Sequence, residues 1–135
     1  ADRANPDEQE APSEPADRVA VSDTFATLRK AMPANAGVVR NGEDLNAALL
    51  MLSDMASEAR PLALRNSLLT ARFIVAGALQ REESRGSHFR TDFPEARDAW
   101  QHHTHLTVDD VDKLTQRARG SGLSGSNVIH ATFGQ

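Results

Sequence analysis

The chain reads as an all-α protein: a three-helix bundle with a long central third helix, a short extra C-terminal helix and flexible termini. Three observations predict this. Apolar residues recur at the i, i+3, i+4, i+7 spacing of a buried helix face in successive stretches. No stretch carries a convincing strand alternation. Pro and Gly fall between the helical stretches rather than inside most of them. At 135 residues the chain suits one domain, and with 39% hydrophobic residues but only five Phe and one Trp its core is expected to be aliphatic.

The first helix is expected to begin at Ser22 or Asp23, either of which can cap the free N–H groups of a first turn. Phe25, Leu28 and Met32 then share a face, and Pro33 should end or kink the helix. Gly37, Asn41 and Gly42 frame a short connection holding Val38 and Val39. The second helix is expected over 43–59, where Leu45, Ala48, Leu49, Leu52, Ala56 and Ala59 form one stripe. Glu43 and Asp44 suit the positive end of its dipole. Pro61 marks the next boundary, and a third helix over 62–85 would span about 36 Å. Between Leu68 and Leu79 only Thr70 and Arg72 are polar, so this helix needs neighbours on more than one side. Gly86 is placed as its left-handed C-cap. Pro94 and Trp100 sit in an irregular segment, and a fourth helix starts with Thr107 as N-cap and ends near Arg119.

The division that follows is a disordered acidic, Pro-rich arm over 1–20, a helical domain over 21–106, and a short helix with a flexible Gly/Ser tail over 107–135. Residues 1–17 hold six acids against Arg3 alone, so the body is nearly neutral although the whole chain carries −4. That balance argues against a nucleic-acid surface. Absence of cysteine excludes disulfides and thiolate metal sites and fits a reducing, cytoplasmic compartment. No apolar run approaches the roughly 20 residues that span a bilayer, and no membrane partner is expected. The first residue is not Met, which fits an internal cut in a longer protein.

The densest chemistry lies over 81–94, R-E-E-S-R-G-S-H-F-R-T-D-F-P. Arg81 and Arg85 lie four apart on the expected last helical turn, His88 and Arg90 follow, and Asp92 precedes Phe93-Pro94. Read as residues alone, this is a helix end laced with surface ion pairs worth about 0–1 kcal/mol each. The ordered run says more. Arg65-Asn66, then Glu83-Ser84-Arg85-Gly86, His88, Arg90 and Asp92-Phe93-Pro94, with Leu28-Arg29 and Gly37-Val38-Val39-Arg40 upstream, is similar to the C-terminal helical domain of the L-aspartate oxidase family. That family is related to the flavoprotein subunits of succinate dehydrogenase and fumarate reductase. The resemblance covers about 25–106; Pro33 departs from it, and nothing after about Leu106 matches.

The resemblance implies a three-helix bundle packed against an FAD-binding domain of the same protein. The parent enzyme would oxidise L-aspartate to iminoaspartate by hydride transfer to FAD, in de novo NAD biosynthesis. This segment alone is expected to be inactive, with no catalytic, cofactor-binding or metal-ligating residue in it. Glu83, Arg85, His88, Arg90 and Asp92 are expected at the seam to the FAD domain. Two alternatives stand beside this: a fragment of a succinate dehydrogenase or fumarate reductase flavoprotein subunit, and a freestanding helical interaction module.

Other constellations carry less. Gly120-Ser121-Gly122-Leu123-Ser124-Gly125 matches the dinucleotide pattern G-x-G-x-x-G, but no strand precedes it and no acidic residue follows at the required distance. His102, His103 and His105 cluster without the spacing that lets loop histidines converge on one ion. Glu82 and Glu83 are neighbours on a helix, about 100° apart, and cannot converge on one substrate. The stripe from 45 to 59 lacks the basic polar face of a membrane-surface helix.

Overall fold

The structure is a computed structural model and describes residues 15–132. Four helices carry it: α1 (Pro15–Ala36), α2 (Gly42–Glu58), α3 (Leu62–Gln80) and α4 (Val108–Thr132). Two short strands, β1 (Val39–Arg40) and β2 (Phe89–Arg90), pair in parallel, with Val39 opposite Phe89 and Arg40 opposite Arg90. A single 3-10 turn, Asp98–Trp100, interrupts the segment between β2 and α4. The all-α expectation holds for the body, and the ribbon is an element the sequence did not signal.

Helices α1, α2 and α3 pack together, and α4 lies across α2 and α3. The core is aliphatic: Leu45, Leu49, Leu52, Leu68 and Val75 are fully buried, with Val111 reaching in from α4. Burial of each such side chain stabilises by about 1.5–3 kcal/mol. The expected stripe of α2 is the buried one, and its start is fixed by Asn41, whose side chain accepts from the Asp44 N–H at 2.9 Å. α3 is central as expected; Leu64, Leu68, Ala71, Val75, Ala76 and Ala78 are all buried. Its length and composition would suffice to cross a membrane, more nearly than the sequence reading allowed, yet those buried positions serve the bundle core.

Boundaries differ at three places. α1 begins at Pro15 rather than Ser22, so residues 15–20, expected in the arm, are helical; residues 1–14 lie outside the described part. α1 also runs through Pro33 to Ala36, with the Asn35 side chain donating to the Ala31 carbonyl at 3.0 Å inside that last stretch. α3 stops at Gln80 instead of Arg85, because Arg81, Glu83 and Arg85 turn into a separate charged cluster. α4 starts as expected, with Thr107 Oγ1 accepting from the Asp110 N–H at 3.2 Å while Asp110 accepts from the Thr107 N–H at 2.8 Å. It does not end near Arg119: the backbone stays helical through the Gly/Ser stretch to Thr132, making α4 the longest of the four helices at 25 residues. Arg119 binds Asp54 of α2 at 2.5 Å and Arg72 of α3 binds Asp112 at 2.7 Å, pinning its first half to the bundle.

Candidate functional site

The segment after α3 folds into a knot built around one buried carboxylate. Glu83 is fully buried, the 3.0 Å contact of Arg85 Nε and the 2.8 Å contact of Arg81 Nε converge on its Oε1, and Arg85 Nη2 donates to Oε2 at 3.1 Å. The Arg97 backbone N–H completes the set at 2.9 Å on Oε2. Hydrogen bonding from Arg85, with further donation from Arg97 and Arg81, holds the Glu83 carboxyl at about 2 in spite of its burial. A carboxylate with every acceptor direction filled is a structural keystone.

A second pair joins two helix ends. Arg90 is buried and grips Asp92 with both arms, Nε to Oδ1 at 2.8 Å and Nη2 to Oδ2 at 2.7 Å. Its remaining Nη1 donates to the Ala78 and Leu79 carbonyls at 3.0 and 2.8 Å, which caps the negative end of α3 with a cation. Asp92 accepts from the Gly42 N–H at 3.0 Å, placing an anion at the positive end of α2. The Arg90 guanidinium, followed by this backbone bond, holds the Asp92 carboxyl down at about 2. Glycine at 42 leaves room for this pair: a Cβ would stand 2.8 Å from Asp92 Oδ2 and 3.0 Å from Arg90 Nη2, so either side chain would have to shift.

Between these pairs the backbone reverses over Arg85, Gly86, Ser87 and His88, with both hydrogen bonds of a two-residue hairpin, 2.8 and 3.0 Å. Gly86 takes φ 59°, so it is left-handed as expected, but at the first central position of a hairpin turn instead of a helix C-cap. Ser84 acts as a substitute third strand: its hydroxyl accepts from the Arg90 N–H at 2.9 Å and lies 2.8 Å from the Phe93 carbonyl, to which it donates. His88 donates from Nε2 to the Arg81 carbonyl at 3.0 Å. Burial and then the nearby Arg40, Arg90 and Arg81 charges push its pKa below the ordinary 6.5.

The five residues expected at a seam are therefore brought together, but unequally. Glu83 and Arg90 are buried and satisfied within the chain, whereas the Arg85 side chain is 40% exposed and that of Asp92 37%. Sequence reasoning missed Arg97, Ser84 and Gly42. Arg97 contributes a backbone N–H that no side-chain pattern encodes. Arg65 and Asn66 are far from the knot in the chain and line a shallow cavity of about 240 Å³ with Ala56, Leu62, Leu69 and Arg72.

The remaining constellations resolve plainly. Trp100 stacks on His102 with ring centroids 5.6 Å apart, and among the described residues no three His, Asp or Glu side chains gather as a metal site would require. Glu82 is exposed while Glu83 is buried, so the two do not converge. The glycine pattern at 120–125 lies within helical α4 backbone, whereas a phosphate cradle needs it at a strand-to-helix turn.

The family model described as Fumarate reductase flavoprotein C-term matches residues 58–120. L-aspartate oxidase of Rhodospirillum rubrum is 45% identical over 75 residues, covering 56% of this chain and 27% of that protein. L-aspartate oxidase of Caulobacter vibrioides is 42% identical over 82 residues, covering 61% of this chain and 15% of its own length. A component of the fumarate reductase (CoM/CoB) of Methanothermobacter marburgensis is 34% identical over 90 residues, covering 55% and 16%. The chain thus spans about a quarter or less of these curated relatives. No solved structure gives a significant match. Over residues 58–120, which include the charged side chains of the knot, this chain is thus similar to the C-terminal region of the fumarate reductase flavoproteins and of L-aspartate oxidases.

Proposed function

We propose that this chain is the C-terminal helical part of an FAD-dependent L-aspartate oxidase, packing against the flavin-binding part of the same protein. The observation that carries the reading is the identity of 42–45% over 75–82 residues with proteins named L-aspartate oxidase, beside the family-model match over residues 58–120. On this reading the parent enzyme oxidises L-aspartate to iminoaspartate, and FAD accepts the hydride in the flavin-binding part. The residues described here hold shape: Glu83 and Arg90 lock the segment after α3, so its rim, with exposed Arg85 and half-buried His88, meets the neighbouring domain in one geometry. The protein is read as soluble and cytoplasmic, acting in NAD biosynthesis.

A second reading has its own support. The matching family model is described for fumarate reductase, and a fumarate reductase component is among the relatives. Substrate separates the two. Purified parent enzyme given L-aspartate should release hydrogen peroxide and bleach its flavin, while succinate should leave the flavin oxidised. Flavin reduction by succinate with none by L-aspartate would replace the oxidase reading with the dehydrogenase one.

A further inference from the structure

The β1–β2 ribbon offers a surface and a charge that the described residues leave unused. Val39 is 66% exposed and its register partner Phe89 39%, so two apolar side chains stand side by side on the outer face. Val38, next in the chain, is 60% exposed, whereas the other exposed large apolar residues, Val19, Leu62, Ile74 and Val108, lie on helices α1, α3 and α4. The backbone edge is open as well. Bonds from the Phe89 and Thr91 N–H groups to the Val38 and Arg40 carbonyls, 3.1 and 2.9 Å, turn the N–H and C=O of Val39 away from β2. The far edge of the ribbon is already closed by Ser84 on Arg90.

The charge comes from Arg40. Its Nε is shut away from solvent with no acceptor, and it forms no ion pair with the described residues. Its register partner is another arginine, and Asp92 is spent on Arg90 with both oxygens. Burial and then the Arg90 charge press the Arg40 pKa down, the expected response of a cation lacking a counterion. An edge strand with an apolar face and an unmatched cation fits strand addition by a segment that brings a carboxylate. A second copy of the ribbon fits poorly, because a two-fold contact would set Arg40 against Arg40.

We propose that the open edge of β1 receives an extended segment of the flavin-binding part of the parent enzyme, which lays apolar side chains on Val39 and Phe89 and brings a carboxylate to Arg40. The proposal rests on the reading of this chain as part of that flavoenzyme. Asp92 on Gly42 and Ser84 on Arg90 hold the ribbon in place beforehand, so the added strand meets a formed edge.

The test is amide hydrogen exchange at Val39 in the intact parent enzyme and in this chain alone, joined to flavin release from Val39→Asp and Arg40→Gln enzymes. Arg117→Gln, at an exposed position of α4, serves as the control. The expected result is exchange at Val39 slowed at least about a hundredfold in the intact enzyme. Flavin release should be at least about tenfold faster in both ribbon variants and unchanged in the control. If Val39 exchanges equally fast in both forms while the enzyme keeps FAD and oxidises L-aspartate, the ribbon proposal falls and the functional reading stands. An intact enzyme that holds no flavin overturns both. Protection that rises with concentration in the isolated chain would give the edge to a second copy and overturn the proposal alone.

Discussion

The bundle core and the charged knot occupy one small domain and are stabilised in opposite ways. In the core, Leu45, Leu49, Leu52, Leu68 and Val75 exclude water without directional demands, and similar side chains can replace one another. In the knot, Glu83 and Arg90 are equally buried, yet each is acceptable there only because particular atoms meet it. Core stability is therefore a matter of volume, and knot stability a matter of geometry and protonation. A domain that presents one fixed edge to a neighbour, as proposed above, would gain from the second kind.

The sharpest way to break the comparison is truncation against conservative replacement. Arg90→Ala should cost about 3–5 kcal/mol, since it strands Asp92 and the carbonyls of Ala78 and Leu79. Leu49→Ala should cost about 2–5 kcal/mol by leaving a cavity, so truncation alone does not separate the regions. Conservative swaps do: Leu49→Met should cost under about 1.5 kcal/mol. Arg90→Lys should still cost about 2 kcal/mol, because an ammonium cannot make the bidentate and carbonyl contacts together. Urea unfolding at neutral pH measures all four, and equal costs for the two conservative swaps would dissolve the distinction.

Acid comes next. Glu83 and Asp92 both have folded values of about 2, below their ordinary 4.5 and 3.8. Their contribution is thus complete above the ordinary values and is lost as pH falls through the folded ones. His88 adds a smaller penalty of the same sign, since protonation below its ordinary 6.5 places a new cation near Arg40, Arg90 and Arg81. Midpoints of urea unfolding should fall steeply from about pH 4.5 towards 2 in the native chain. The decline should be shallower in Glu83→Gln, whose stability at neutral pH is already reduced.

Gly42→Ala probes the contact between the regions, and its Cβ would push on an Asp92 oxygen that Arg90 holds still. An overpacking cost of about 1–3 kcal/mol is expected, with the melting temperature as readout. The smallest effect belongs to Arg119→Ala, whose pair with Asp54 is more than half exposed on both sides and should change stability by less than about 1 kcal/mol.

How much of this the sequence carried follows the same division. The stripe from Leu45 to Leu52 and the Thr107 cap were legible because helical periodicity and capping are local codes. The ends of α1 and α4 were misplaced because Pro33 and the glycines at 120–125 are tolerated inside helices they would normally stop. The β1–β2 ribbon was invisible: two residues per strand leave no alternation, and its partners are 50 positions apart in the chain. Likewise the charged residues of the knot were identified, but Arg81 and Arg85 were assigned to a helix that ends at Gln80. Which of the acids would be buried, and that Arg97 would serve through its backbone, depended on tertiary placement alone.

The central claim is that this domain completes a flavoenzyme, and flavin retention tests it most directly. The flavin-binding part, expressed separately, would be loaded with FAD and followed by fluorescence as it loses cofactor, with and without this chain added. The account predicts that the chain slows FAD loss at least about tenfold and that peroxide from L-aspartate appears only in the mixture. Equal retention and full L-aspartate oxidation by the flavin-binding part alone would contradict it, and would return these helices to the status of a separate interaction module.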